Sequence, residues 1–150
     1  MRGFLLDTNV VSMLSPSRTD TSASFLEWLG DRDREGQIFL SVITVHEVEK
    51  GIALLDLKGA TAKAQALRIW NTGLVATYDD RILSFDAPAA AIGGRLEAKA
   101  AAAGHDPGMA DAAIAGIAQA HDLVIITANT KHFVPFGVPV FSPDEVIRSN

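Results

Sequence analysis

The chain has 150 residues, 48% of them apolar, which is long enough for one domain with a buried core and too apolar for a disordered segment. Its formal net charge of −5 excludes a protein that coats nucleic acid through bulk positive charge, although two bound divalent cations would bring the balance to roughly −1. With no cysteine, disulfides and thiolate metal sites are excluded, which fits a reducing cytoplasm.

Short apolar runs alternate with longer helical patterns along the chain. Gly3 to Leu6 (GFLL) reads as a buried strand that ends on an acid, Asp7. Thr21 to Glu35 reads as a helix with Phe25, Leu26, Trp28 and Leu29 on a broad apolar face. Ile38 to Ser41 (IFLS) is the second strand. Thr44 to Leu57 follows as a helix with Val45, Val48, Ile52 and Leu55 along one seam, and Ala60 to Trp70 as another, rich in good helix formers. Asp79-Asp80 reads as a solvated turn. Asp86 before Ala87-Pro88 is a cap for an alanine-rich helix running to about Ala103, and Asp106-Pro107 reads as the opening of a further helix ending near His121. Leu123 to Thr127 (LVIIT) is a buried strand, and Val138 to Phe141 an edge strand, because Pro139 suits no sheet centre. Strands separated by helices predict an α/β domain spanning 1–150, with a central parallel sheet of four to five strands covered on both faces. No apolar run approaches the roughly 18 residues of a membrane helix, and the start of the chain lacks the apolar run of a signal peptide.

In an open parallel sheet, ligands collect at the carboxyl ends of the strands. Asp7 stands at such an end. Followed by Thr8 and Asn9, it also suits a helix cap or an Asx turn, and the roles are compatible because one carboxylate oxygen can serve each. Glu47, in SVITVHEVEKGI, borders the apolar stripe of its helix. Glu49, about 200° further round at about 100° per residue, faces away and is solvated. Glu47 reads either as a surface carboxylate or as a half-buried acid at a cleft. Asp111 lies on an otherwise apolar helix of small residues, where a lone acid is costly to bury. A favourable place near the helix N-terminus is the plainer account of it, weakened if Asp106 is the cap and Asp111 lies more than a turn inside. Asn129, with Thr127 two residues before it, follows the strand LVIIT as Asp7 follows GFLL. It is an ordinary turn residue or an oxygen donor to a hard cation or its water.

Three such acids brought together repel one another unless they hold a cation, and oxygen donors without thiolates favour Mg²⁺ or Mn²⁺. A site of this kind lowers the pKa of a water and orients it on a phosphodiester.

These segments resemble the PIN-domain family, in particular the VapC-type toxins of bacterial toxin–antitoxin pairs. LLDTNVVS is similar to the opening motif, SVITVHEVEKGI to the second, MADAAIAGIAQAHDLVIITANTKHF to the third and fourth, and FGVPVFSP to the closing strand. The four occur in order over nearly the whole chain. The resemblance implies a three-layer α/β/α sandwich. It implies a Mg²⁺- or Mn²⁺-dependent endoribonuclease cutting RNA by activated water, with Asp7, Glu47 and Asp111 as catalytic and metal-binding acids. Asn129 is the fourth, neutral corner, and Thr8, Asn9 and Thr127 support the site. It further implies a homodimer and a VapB-type antitoxin whose C-terminal segment occupies the groove. Many relatives carry an acid at the position of Asn129 and an arginine at that of Ala128; Lys131 is near enough in sequence to replace the latter.

Lys50, Arg81 and Lys131 are the candidate contacts to an RNA backbone. His46, His105, His121 and His132 follow no metal-binding spacing, and His132 reads as part of a solvated loop. Trp28 and Trp70 read as core or interface residues rather than base-stacking platforms. Two other functions compete: a phosphotransferase with an aspartyl nucleophile after the first strand, which lacks its general acid because Asn9 stands two residues after Asp7, and a PIN-like protein that binds RNA or a partner without cutting.

Overall fold

The computed structural model describes residues 2–148. Five strands form one parallel sheet: β1 (Phe4–Leu6), β2 (Ile38–Ser41), β3 (Ile82–Leu83), β4 (Val124–Ile126) and β5 (Val140–Phe141), in the order β3-β2-β1-β4-β5. β1 sits at the centre, with Leu5 in register with Phe39 on one side and Ile125 on the other. The three-layer sandwich with a central parallel sheet is therefore the observed architecture, with β5 at an edge as Pro139 demands; the Pro139 carbonyl still accepts from the Ile125 N–H at 3.0 Å.

The helices are α1 (Thr8–Ser12), α2 (Ala23–Arg34), α3 (Val42–Leu57), α4 (Thr61–Tyr78), α5 (Ala87–Ala102), α6 (Met109–Ala120), α7 (Thr130–Phe133) and α8 (Pro143–Arg148). Side chains alternate across a strand, so Leu5 and Leu6 enter different cores. Leu5 and Ile125 join Leu96, Ile114 and Ile117 under α5 and α6. Leu6 and Ile126 join Val10, Phe25, Trp28 and Tyr78 on the other face. Trp28 is a core residue, stacked on Phe25 and edge-on to Phe4.

The structure departs from the sequence reading at several elements. α2 begins at Ala23 behind a Ser22 cap, two residues later than expected. α4 continues past Trp70 to Tyr78, through Asn71, Thr72, Gly73 and Val75, none of them good helix formers. Burial of Asn71 and Tyr78 supplies what propensity lacks. Asp79-Asp80 is the exposed turn expected, of 3-10 form, but it runs into β3, a two-residue strand too short for any periodicity to reveal. α3 begins at Val42 behind a Ser41 cap, two residues earlier than expected. Finally, Asp106-Pro107 does not open α6: Gly108 is the N-cap, and the helix begins at Met109. By contrast, Asp86 does cap α5, accepting the Ala89 N–H at 3.1 Å.

α5 and α6 pack at close range because glycines face each other. A Cβ on Gly116 would stand 2.5 Å from the Ala89 carbonyl oxygen and 2.8 Å from the Gly93 nitrogen, both backbone atoms with no freedom to swing aside. Gly116→Ala is therefore expected to cost about 1–3 kcal/mol by forcing the helices apart. The check is a lower urea midpoint at unchanged m-value.

Candidate active site

β1 ends at Leu6, and the Asp7 N–H continues its ladder by donating to the Ile126 carbonyl at 3.0 Å. Asp7 then turns the chain into α1. Its Oδ1 accepts the Thr8 N–H at 2.8 Å, and its Oδ2 accepts the Thr127 hydroxyl at 2.8 Å. The residue is thus a helix cap and remains placed at a strand end; it is 6% exposed. Thr127, fully buried just beyond β4, uses its hydroxyl completely. It donates to Asp7 and accepts from Asn9 Nδ2 at 3.3 Å and from the Asn129 N–H at 3.1 Å. Asn9 Oδ1 in turn accepts the Ala128 N–H at 3.1 Å. Thr8, Asn9 and Thr127 thereby tie the carboxyl ends of the two central strands together around Asp7.

Glu47 reaches the same region from the second turn of α3, where its Oε1 accepts the Thr8 hydroxyl at 2.5 Å. It is partly buried, while Glu49 points elsewhere and accepts from Asn71 Nδ2 at 2.7 Å. Asp111 is half-buried in the first turn of α6, because that helix starts at Met109. It therefore lies within reach of the helix dipole, contrary to the expectation from an Asp106 cap. His132 is no detached loop residue: it lies on α7, with its Nδ1 3.8 Å from Asp111 Oδ2. His132 and Lys131 line a recess of about 240 Å³ with Asp111, His105 and Asp106. Lys50 borders a wider groove that begins at Glu47. Asn129 is the exposed residue before α7.

Arg81 is not brought to the acids. It precedes β3, pairs with Asp33 at 2.8 Å, donates to the Ile38 carbonyl at 3.1 Å and lies over the Tyr78 ring. These partners stand at the amino ends of the strands, the opposite edge of the sheet from Asp7.

Electrostatics couples the three acids. Burial raises the pKa of Asp7 above the ordinary carboxylate value of 3.8. The Thr127 and Thr8 hydrogen bonds pull it back, and the charges of Asp111 and Glu47 raise it further. Burial likewise raises Asp111, with His132 opposing and Glu47 adding to the rise. Among the described residues none of the three is ion-paired to Lys or Arg. All their donor atoms are oxygens, which suits a hard cation. Their spacing is looser than coordination: among the described residues no three acids or histidines are gathered closely enough to form a ready-made metal cluster.

Thr127 offers a direct check on how Asp7 is held. Thr127→Val keeps the shape but takes the hydroxyl partner from Asp7 Oδ2, Asn9 Nδ2 and the Asn129 N–H, at a cost of about 1–3 kcal/mol. The same change removes a hydrogen bond that favours ionisation, so the Asp7 pKa moves further up, readable by NMR titration.

Two residues of this region escaped the sequence reading. Thr44 lies buried against the Thr8 hydroxyl, and buried Ser41 at the end of β2 accepts the Thr44 N–H; neither hydroxyl carries a signal of its own until the neighbouring element is placed.

The fold is a parallel α/β/α sandwich with Asp7 at the carboxyl end of its central strand, where the charges of Glu47 on α3 and Asp111 on α6 act on it. The family model for the PIN domain matches residues 4–134. The chain is 36% identical over 139 residues to Toxin FitB of Neisseria gonorrhoeae, covering 93% of this chain and 96% of that one. It is 33% identical over 141 residues to VapC ribonuclease Y4jK of Sinorhizobium fredii, covering 94% and 97%. The crystal structure of FitAcB from Neisseria gonorrhoeae superposes with a TM-score of 0.76 at 35% identity, over 93% of this chain and 97% of that one. The chain belongs to the PIN-domain family, among the VapC-type toxins of toxin–antitoxin pairs.

Proposed function

We propose that the protein is a Mg²⁺- or Mn²⁺-dependent endoribonuclease toxin, acting as a single domain in the cytoplasm and restrained by a VapB-type antitoxin. The observation that carries this reading is the convergence of Asp7, Glu47 and Asp111. The charges of Asp111 and Glu47 raise the proton affinity of Asp7, that of Glu47 raises Asp111, and among the described residues none of the three is ion-paired to lysine or arginine. A protein retains such a repulsive set when it serves a cation. The ribonuclease among the relatives supports the same chemistry, and the gonococcal FitAcB structure supports a second component beside the toxin. Among the described residues no helix is long and apolar enough to cross a membrane, which suits the cytoplasmic setting.

A bound divalent cation supplies the positive charge that polarises a phosphate oxygen and lowers the pKa of a nearby water. Asp7, Glu47 and Asp111 would hold it. Each Asp7 oxygen has given one lone pair to a protein donor and keeps another. Glu47 uses Oε1 for Thr8, which leaves Oε2 to orient a water on the scissile phosphate. Asn129 stands further out, suited to contact through water. Lys50 and Lys131 border the grooves on either side of the acids and suit contacts to the RNA backbone. A homodimer and a toxin–antitoxin hetero-oligomer complete the reading.

The test is an RNA digest with antitoxin-free protein in Mg²⁺, Mn²⁺ or EDTA. Cleavage with either metal and none in EDTA is expected. A preparation that cuts none of a broad set of RNAs but still binds RNA or its partner would overturn the nuclease reading.

A further inference from the structure

Glu47 depends on other elements for its orientation. It is separated from its own backbone by three rotatable bonds, and its protein contact is the Thr8 hydroxyl on α1. That hydroxyl also touches the Thr44 hydroxyl at 2.9 Å. Proton counting fixes the direction of the chain. A hydroxyl has one proton, and an ionised carboxylate only accepts. Thr8 gives its proton to Glu47, so the 2.9 Å contact is made by the proton of Thr44. The order is Thr44 to Thr8 to Glu47.

Thr44 is well placed to begin that chain. It is 1% exposed and sits in the first turn of α3, its N–H donating to the Oγ of fully buried Ser41 at 3.3 Å. We infer that Thr44 is a positioning residue. By donating to Thr8 it selects the rotamer that aims the Thr8 hydroxyl at Glu47, and by polarising that hydroxyl it strengthens the charge-assisted bond to the carboxylate. Thr44 touches neither substrate nor cation. The inference rests on the nuclease reading, and it adds that the geometry of the α3 acid is set from the end of β2 through two hydroxyls.

The test compares Thr44→Val and Thr44→Ser with wild type, by thermal unfolding across a Mg²⁺ titration without RNA and by steady-state cleavage. Thr44→Val is expected to raise the Mg²⁺ concentration giving half the thermal shift about tenfold and to lower kcat about tenfold, with KM for RNA unchanged. Thr44→Ser, which keeps the hydroxyl, is expected to restore both. A Thr44→Val protein that melts lower in EDTA but keeps the wild-type Mg²⁺ midpoint and kcat would overturn the inference, leaving Thr44 a packing residue. So would a serine variant no better than valine. Failure of the nuclease reading is seen separately, in the wild-type arm: no response to Mg²⁺ and no cleavage there would sink both.

Discussion

Asp111→Asn is expected to lower the rate of RNA cleavage about a thousandfold, equivalent to ~4 kcal/mol of transition-state stabilisation, because it removes a full charge from the set proposed to hold the cation. Asp7→Asn is expected to fall as far. The double variant should be little worse than either single one, since residues that act as a unit lose their effect together. The control is Glu49→Gln. Glu49 is two residues from Glu47 on the same helix, yet it bonds to Asn71 and takes no part in the cluster. Its rate should stay within about twofold of wild type, as for a surface change away from the site. Undiminished cleavage in Asp7→Asn would remove the strand-end acid from the mechanism.

Asp7 was legible because two local rules meet on it: a buried apolar run stops at an acid, and Thr8-Asn9 follows as a helix start. The strand end and the helix cap are both observed, with one oxygen accepting the Thr8 N–H and the other the Thr127 hydroxyl. Helical geometry separated Glu47 from Glu49 correctly: Glu47 is partly buried and Glu49 is exposed, where it also accepts from Asn71. Asp111 was placed too far inside its helix. Asp106-Pro107 has the same local chemistry as Asp86-Ala87-Pro88, but the chain stays extended through Gly108 before α6 begins. Capping preferences fix which residues can start a helix, not which of two adjacent starts the packing selects. Arg81 shows the other limit. A basic residue beside a strand looks much the same from either end, and only the strand direction and the pairing with Asp33 place it at the amino edge. β3 and the Thr44–Thr8 contact were out of reach, the one because two residues carry no period, the other because its partners are 36 residues apart.

The second large effect expected is on stability, where the acids work against the fold. The folded-state pKa of Asp111 is raised, so folded protein holds its proton to higher pH than unfolded protein does. The sign follows: stability is greatest with Asp111 protonated and is lost as pH rises from the ordinary carboxylate value of 3.8 through the raised folded value. At neutral pH without a cation the ionised residue is a net cost, and Asp111→Asn removes it while keeping the shape. In EDTA the melting temperature of the variant should therefore gain on that of wild type as pH is raised from about 4 to 7. Mg²⁺ reverses the comparison. At a hundredfold excess over its Kd the ion stabilises the wild type by about 2.7 kcal/mol, or about 5–10 °C for a chain of this length, and the variant much less. Equal responses to Mg²⁺ in the two proteins would mean that the ion acts elsewhere. The predicted crossing, a variant more stable without the ion and less stable with it, separates a site built for a cation from a chance cluster of acids. A chance cluster would show the first half of the behaviour and not the second.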